Sequence, residues 1–223
     1  MRKPTIIAVI LLGVLVGVPA ARSGAQARGQ FTLRVTPGPD YSASTRILLF
    51  IKMPLHPQMA CWLESLDGHF LGTIYVTAKG EKKKFYAAPA AGRPEALPVW
   101  YHVQSSGAPA ADAVSGATSA GAAEHVAKAP VGLAPGRYAA FLEVNRSFDY
   151  NDRFTKKNSG VNGQPSIVYR AEIVVGPAGS KAVCAPIGTG SVDGSDGRVT
   201  PGLDGITTAL TLIEKAEIEY SGN

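Results

Sequence analysis

The sequence is poor in the side chains that most often do chemistry. It has only two cysteines, Cys61 and Cys184, in 223 residues. No C-x-x-C or C-x-x-C-H spacing occurs, which argues against a thioredoxin-type redox pair and covalent haem. The four histidines, His56, His69, His102 and His125, are scattered without metal-ligand spacing. No serine or cysteine stands beside a recognisable base, so a hydrolase has little support. Charged residues make up 17% of the chain, and no basic stripe interleaves with aromatics, which argues against nucleic acid as a partner. No internal repeat is evident, and beyond the N-terminal segment no apolar run is long enough to span a bilayer.

What is present begins with an export signal over residues 1–27. Arg2 and Lys3 precede an apolar run at 6–18 and then small residues, with cleavage fitting after Ala27 or after Ala20. The run is short for a transmembrane helix, and no cysteine lies near it to carry a lipid anchor. The reading is a soluble, exported chain, 28–223, without stable membrane insertion. Removing Arg2, Lys3 and Arg22 leaves 19 basic against 17 acidic residues, so the net charge falls from +5 to +2. An oxidising compartment permits a Cys61–Cys184 disulfide. Cys61 beside Trp62 also reads as a buried strand residue, and both alternatives stand.

Periodicity points to β structure. Residues 31–36, 137–144, 166–175 and 216–220 alternate apolar with polar, the mark of strands with one buried face. Residues 47–52 form a continuous β-favouring run, as in a central strand. Asp67-Gly68 sits between two such runs, 59–66 and 73–79, as in a hairpin, and Lys82-Lys83-Lys84 reads as a solvated tip. The expectation is one all-β domain of seven or eight strands, an immunoglobulin-like β-sandwich with at most one or two short helices. An Ala/Gly-rich insertion occupies about 105–132. Tyr138, Leu142, Ile167, Tyr169 and Ile173 should be buried on facing sheets.

Within the insertion lies Asp112-Ala113-Val114-Ser115-Gly116-Ala117-Thr118. The run D-x-V-S-G-A-T resembles the site at which bacterial flavin transferases attach FMN through a phosphoester. Comparable sites occur in the C subunit of the sodium-translocating NADH:quinone reductase and the G subunit of the Rnf complex. The resemblance makes Thr118 the acceptor and Asp112, Ser115, Gly116 and Ala117 its cofactor-binding surroundings. The residue types suit the task. The acceptor hydroxyl must enter another enzyme's active site, Gly116 gives backbone freedom, and Ala117 adds no bulk. A helix over 120–128 would present free N–H groups to the phosphate. Ala120 stands where such acceptors usually carry a second hydroxyl. Residues 105–111 should be irregular and accessible.

Two other stretches invite a site reading. Asp193-Gly194-Ser195-Asp196-Gly197 misses the spacing of a calcium loop and reads as a polar turn. Residues 145–152, N-R-S-F-D-Y-N-D, follow a strand and combine polar groups with rings, as a binding loop would, or form Asx-type turns. His102, near Trp100, reads as a structural histidine rather than a metal or flavin ligand.

A wider resemblance rests on segments 93–100 (R-P-E-A-L-P-V-W), 112–118, 148–151 (F-D-Y-N), 163–169 (G-Q-P-S-I-V-Y), 196–197 and 207–209 (T-T-A). Together they resemble a family of exported bacterial proteins known as predicted periplasmic proteins of unknown function. Such proteins are often encoded beside PepSY-type membrane proteins and flavin transferases. That context implies a periplasmic electron carrier whose partners are an FMN transferase and a PepSY-type membrane reductase. The competing expectation is a non-enzymatic, immunoglobulin-like binding or accessory module.

Overall fold

The computed structural model describes residues 29–48, 51–78, 93–105, 114–116, 121–130 and 133–222. Among them the chain forms thirteen β-strands and two short α-helices. One sheet has four strands in the order β10 (Ser180–Val183), β13 (Ile213–Gly222), β1 (Gly29–Pro37), β7 (Ala123–Lys128). The other has seven, in the order β12 (Thr200–Pro201), β11 (Ala185–Thr189), β9 (Ile167–Val175), β8 (Gly136–Asn145), β4 (Gln58–Glu64), β5 (Phe70–Thr77), β6 (Val114–Gly116). A separate ribbon pairs β2 (Ala43–Leu48) with β3 (Ile51–Leu55). Every pairing is antiparallel except β5–β6. This is an all-β sandwich.

The alternating strands explain the packing. Ala140, Leu142 and Val144 of β8 and Ile167, Tyr169, Ala171, Ile173 and Val175 of β9 point into the interior. They meet Phe31, Leu33 and Val35 of β1 and Ala216, Ile218 and Tyr220 of β13. Each large apolar side chain so buried contributes about 1.5–3 kcal/mol. The opposite phase of the seven-stranded sheet is also covered. Ala60, Trp62, Phe141 and Val168 pack there against Leu97 and against Val99 and Trp100 of helix α1 (Pro98–Ser105). Trp62 stacks on Phe141 with centroids 5.3 Å apart, and the Trp100 indole N–H donates to Thr73 Oγ1 at 2.9 Å. A second helix, α2 (Lys156–Ser159), is a single turn.

Several expectations are corrected. Leu142, Ile167, Tyr169 and Ile173 are buried, and Tyr138 is partly buried, but they lie on neighbouring strands of one sheet rather than on facing sheets. The run 47–52 falls across β2 and β3, a two-stranded ribbon, and is not a central strand. Ala-rich 120–128 is not a helix, because Ala123–Lys128 pairs along β1 as an edge strand. Tertiary pairing with a half-buried neighbour outweighs alanine's helix preference there. The insertion about 105–132 is therefore built into the fold, giving one edge strand to each sheet. The signal segment and Lys82–Lys84 lie outside the described residues. Among the described residues no helix is long and apolar enough to cross a membrane.

Candidate functional site

The registers place the motif at one end of the sandwich. In the large sheet Gln58 pairs with Asn145, Val144 with Ile167, and Thr77 with Gly116. β5, β6 and β8 therefore finish where β4 and β9 begin. In the small sheet Pro37 pairs with Ile213 and Val35 with Ala123, so β1 finishes where β13 and β7 begin. Cross-links show that these are the same end. The Arg146 guanidinium donates to the Asp40 carbonyl, Thr208 Oγ1 donates to Asp149 Oδ1 at 2.6 Å, and the rings of Tyr41 and His56 lie 6.4 Å apart. Val114, Ser115 and Gly116 form β6, alongside Tyr75, Val76 and Thr77. Asp112, Ala117 and Thr118 lie outside the described residues. The chain thus leaves the large sheet at Gly116 and joins the small one at Ala123, and Thr118 belongs to that connection.

Three polar side chains lie toward this end of the sandwich. Tyr75 of β5 and His125 of β7 stack face to face, centroids 3.6 Å apart and planes 18° apart. Tyr41 and Tyr75 are 2% and 0% exposed. Tyr41 Oη, Tyr75 Oη and His125 Nε2 are buried and have no hydrogen-bond partner among the described residues. Burial pushes the Tyr75 hydroxyl up to about 12, with neighbouring Tyr41 adding to it, and raises Tyr41 as well. Burial lowers the His125 imidazole. All three groups are accordingly neutral at neutral pH, two of them hydroxyls that donate and accept. Such a set suits a neutral partner with carbonyl or ring-nitrogen atoms, and it offers no positive charge to a phosphate.

The loop after β8 gathers a second polar cluster. Arg146 pairs with Asp149 at 2.6 Å, both nearly buried. Gln164 Nε2 donates to Thr208 at 2.7 Å, and its Oε1 accepts the Thr207 N–H at 2.7 Å. Arg93 donates to Glu95 at 2.8 Å, Ser147 at 2.8 Å and Asn162 at 2.7 Å. Gly163, at φ +78°, closes the loop because a Cβ would lie 2.4 Å from the Asp149 carbonyl oxygen. Segments 148–151, 163–169 and 207–209, far apart in sequence, therefore share hydrogen bonds, and Arg93 ties 93–100 to the adjoining Ser147 and Asn162. Asn151 Oδ1 accepts the Arg153 and Phe154 N–H groups, an Asx-type turn. Tyr150 is tied through its hydroxyl to the Gly160 carbonyl at 2.7 Å, whereas Phe148, at φ +62°, stays 38% exposed. Three inter-strand spacings, about 14 Å, separate this loop from β6.

Glu143, which the sequence did not mark, is fully buried beneath α1. Pro98 has no N–H, and the next two, of Val99 and Trp100, donate to the Glu143 carboxylate at 3.2 and 2.9 Å. Ser166 adds its hydroxyl at 2.6 Å. Desolvation outweighs these three bonds and pushes the carboxyl up to about 7. The group anchors the helix.

No protein-family model, curated protein or solved structure matches this chain. The site is accordingly read from its own residues. Ser115 and Gly116 are brought into an edge strand and do not sit in a free loop. Ser105 ends α1 and is exposed, while 106–111 lie outside the described residues. With a strand at Ala123–Lys128, the expected helix terminus is not available to hold a phosphate. His102 accepts from or donates to nothing catalytic: its ring Nε2 lies 3.1 Å from the Gly194 carbonyl and ties α1 to the Asp193–Gly197 turn. That turn is closed by Asp193 Oδ1 accepting the Ser195 N–H at 3.0 Å and Asp196 Oδ1 accepting the Arg198 N–H at 2.9 Å. Among the described residues no group of three His, Cys, Asp or Glu could hold a metal. Cys61 and Cys184 are both buried, free thiols.

Tyr41, Tyr75 and His125 went unread in the sequence for a simple reason. They lie 34 and 50 residues apart in order, and only strand register brings them together.

Proposed function

We propose that this chain is an exported, periplasmic electron-transfer protein that carries FMN on Thr118 through a phosphoester. The observation that supports the reading best is placement. Val114–Gly116 of the D-x-V-S-G-A-T run form an edge strand that pairs with Tyr75–Thr77 and finishes at one end of the sandwich.

Attachment is a substitution at phosphorus. The Thr118 hydroxyl oxygen attacks the riboflavin-side phosphorus of FAD, the pyrophosphate P–O bond breaks, and AMP leaves with the bonding electrons. The threonine proton passes to a base of the transferase. Bound FMN supplies reversible two-electron chemistry, and the protein's part is to hold and orient it. β6 spans only three residues, so little pairing has to be given up when the segment is offered to the transferase. The partners are an FMN transferase and a PepSY-type membrane reductase that supplies the electrons.

The test is co-expression with a periplasmic flavin transferase, then intact mass and peptide mapping. One FMN should be added, survive denaturation and map to Thr118. Thr118→Ser should keep the adduct and Thr118→Val should lose it. An unmodified wild-type chain beside a labelled control acceptor would refute the reading and leave the binding module. An adduct that persists in Thr118→Val would refute the residue assignment.

A further inference from the structure

We infer that the hollow between the Arg153-Phe154 turn and the 200–206 loop binds a short-chain monocarboxylate, with the Arg153 guanidinium receiving the carboxylate. The site stands apart from the flavin reading. Its strand β11 lies five inter-strand spacings from β6, about 24 Å.

The hollow measures about 220 Å³ and is lined on one side by Arg153 and Phe154 and on the other by Pro201, Gly202, Asp204 and Ile206. Pockets for drug-sized ligands span about 300–1,000 Å³, so a body of a few carbons fills this one and a flavin ring or nucleotide does not. Asn151 fixes the two sides relative to each other. Its Oδ1 accepts the N–H groups of Arg153 and Phe154 at 3.0 and 2.8 Å. Its Nδ2 donates to the Gly205 carbonyl at 3.0 Å and to Thr207 Oγ1 at 3.2 Å.

Arg153 is held ready. Its guanidinium carbon lies 5.4 Å from the centroid of the Phe154 ring, a cation–π distance. Its Nη1 donates to the Asp204 carbonyl at 2.7 Å. The Gly205 backbone packs so closely that a Cβ there would fall 2.7 Å from Arg153 Cδ. Among the described residues the guanidinium has no other hydrogen bond and no ion pair. A planar fork whose remaining N–H donors are unengaged thus borders a small cavity, and such a fork pairs with carboxylates through two parallel bonds. Because the side chain is already ordered, binding loses little of its rotamer freedom.

The rest of the lining sets the class of acid. Phe154, Pro165, Pro201 and Ile206 offer apolar surface to a short carbon body. Thr189 and Thr200 stand directly opposite each other in the β11–β12 pair, so their side chains share a face. Among the described residues neither hydroxyl has a hydrogen bond, and both suit a hydroxyl on the ligand. One cation with Asp204 beside it balances a single negative charge, which disfavours phosphate and dicarboxylates.

The experiment titrates the isotope-labelled mature chain, without flavin, with propionate, lactate and propionamide, and follows backbone amide resonances. Both acids should shift the amides of Arg153, Thr189 and Gly202 saturably. Propionamide, which lacks the charge, should bind roughly tenfold more weakly or worse. Arg153→Gln should weaken both acids by a similar factor while the rest of the spectrum stays in place, and Arg153→Lys, which keeps the charge without the fork, should fall between. Lactate should bind tighter than propionate, and Thr200→Val should reduce that advantage. Absence of saturable shifts at these amides would overturn the inference, as would propionamide matching propionate or undiminished binding in Arg153→Gln. Lactate binding no tighter than propionate would overturn the part given to the threonines. None of these outcomes depends on whether Thr118 carries FMN.

Discussion

Replacing Glu143 with glutamine isolates the energetics of a carboxyl group buried under a helix. Its pKa in the folded chain is about 7, against an ordinary value of 4.5, because desolvation exceeds the benefit of three hydrogen bonds. A carboxyl raised on folding stabilises the protein fully below its unfolded pKa, and that contribution is lost as pH climbs through the folded one. The interval of roughly 2.5 units corresponds to about 3 kcal/mol. Glutamine does not titrate. It places an NH2 against one of the N–H donors of α1, a cost of about 1–3 kcal/mol that is independent of pH. The measurement is urea unfolding of both proteins from about pH 4 to about pH 8, with the difference in unfolding free energy followed across the range. Wild type should lose its lead by about 3 kcal/mol, with most of the fall between the two pKa values. Other titrating groups are common to both chains and cancel. Parallel profiles would show that Glu143 titrates as if solvated, and the account of how α1 is anchored would fail.

Two further outcomes follow from packing. Gly190→Ala should destabilise by about 1–3 kcal/mol in thermal or urea unfolding, since its Cβ would fall 2.5 Å from Ser166 Oγ, 2.6 Å from Pro98 Cγ and 3.0 Å from Glu143 Oε1; an unchanged midpoint would refute that close approach. Cys61 and Cys184 should resist alkylation in the native protein, because burial raises both thiols, Cys61 well above its ordinary value and Cys184 to about 12. In denaturant without reductant two adducts should appear by mass, and none would mean a disulfide.

Much of the sandwich was legible because one phase of β8 and of β9 is apolar throughout, and strand register keeps such a set on one face. The same logic placed the Asp67-Gly68 hairpin. It failed where local preference and tertiary context disagree. Ala123–Lys128 has helix-favouring residues yet forms an edge strand along β1. Within 93–100, Pro98 is the first residue of α1, a position where a missing N–H costs nothing. The cap for that helix comes from Glu143, more than forty residues away, and no local signal announces it. The candidate site divides in the same way. The motif around Thr118 is a local string and could be read. Tyr41, Tyr75 and His125 form a group only after β1, β5 and β7 have taken their registers.

The unequal anchoring of the Thr118 connection has a mechanical consequence. On one side β6 holds through three residues of parallel pairing, and on the other β7 is paired with β1 over six. A pull on the connection loads the two unequally, as a strip of tape lifts first where its bonded length is shorter. β6 peels while β7 stays fixed as a hinge, and the sandwich stays closed behind it. On the attachment reading proposed above, an enzyme that draws the acceptor out has only the three residue pairs of β5–β6 to undo, and those pairs re-form on release.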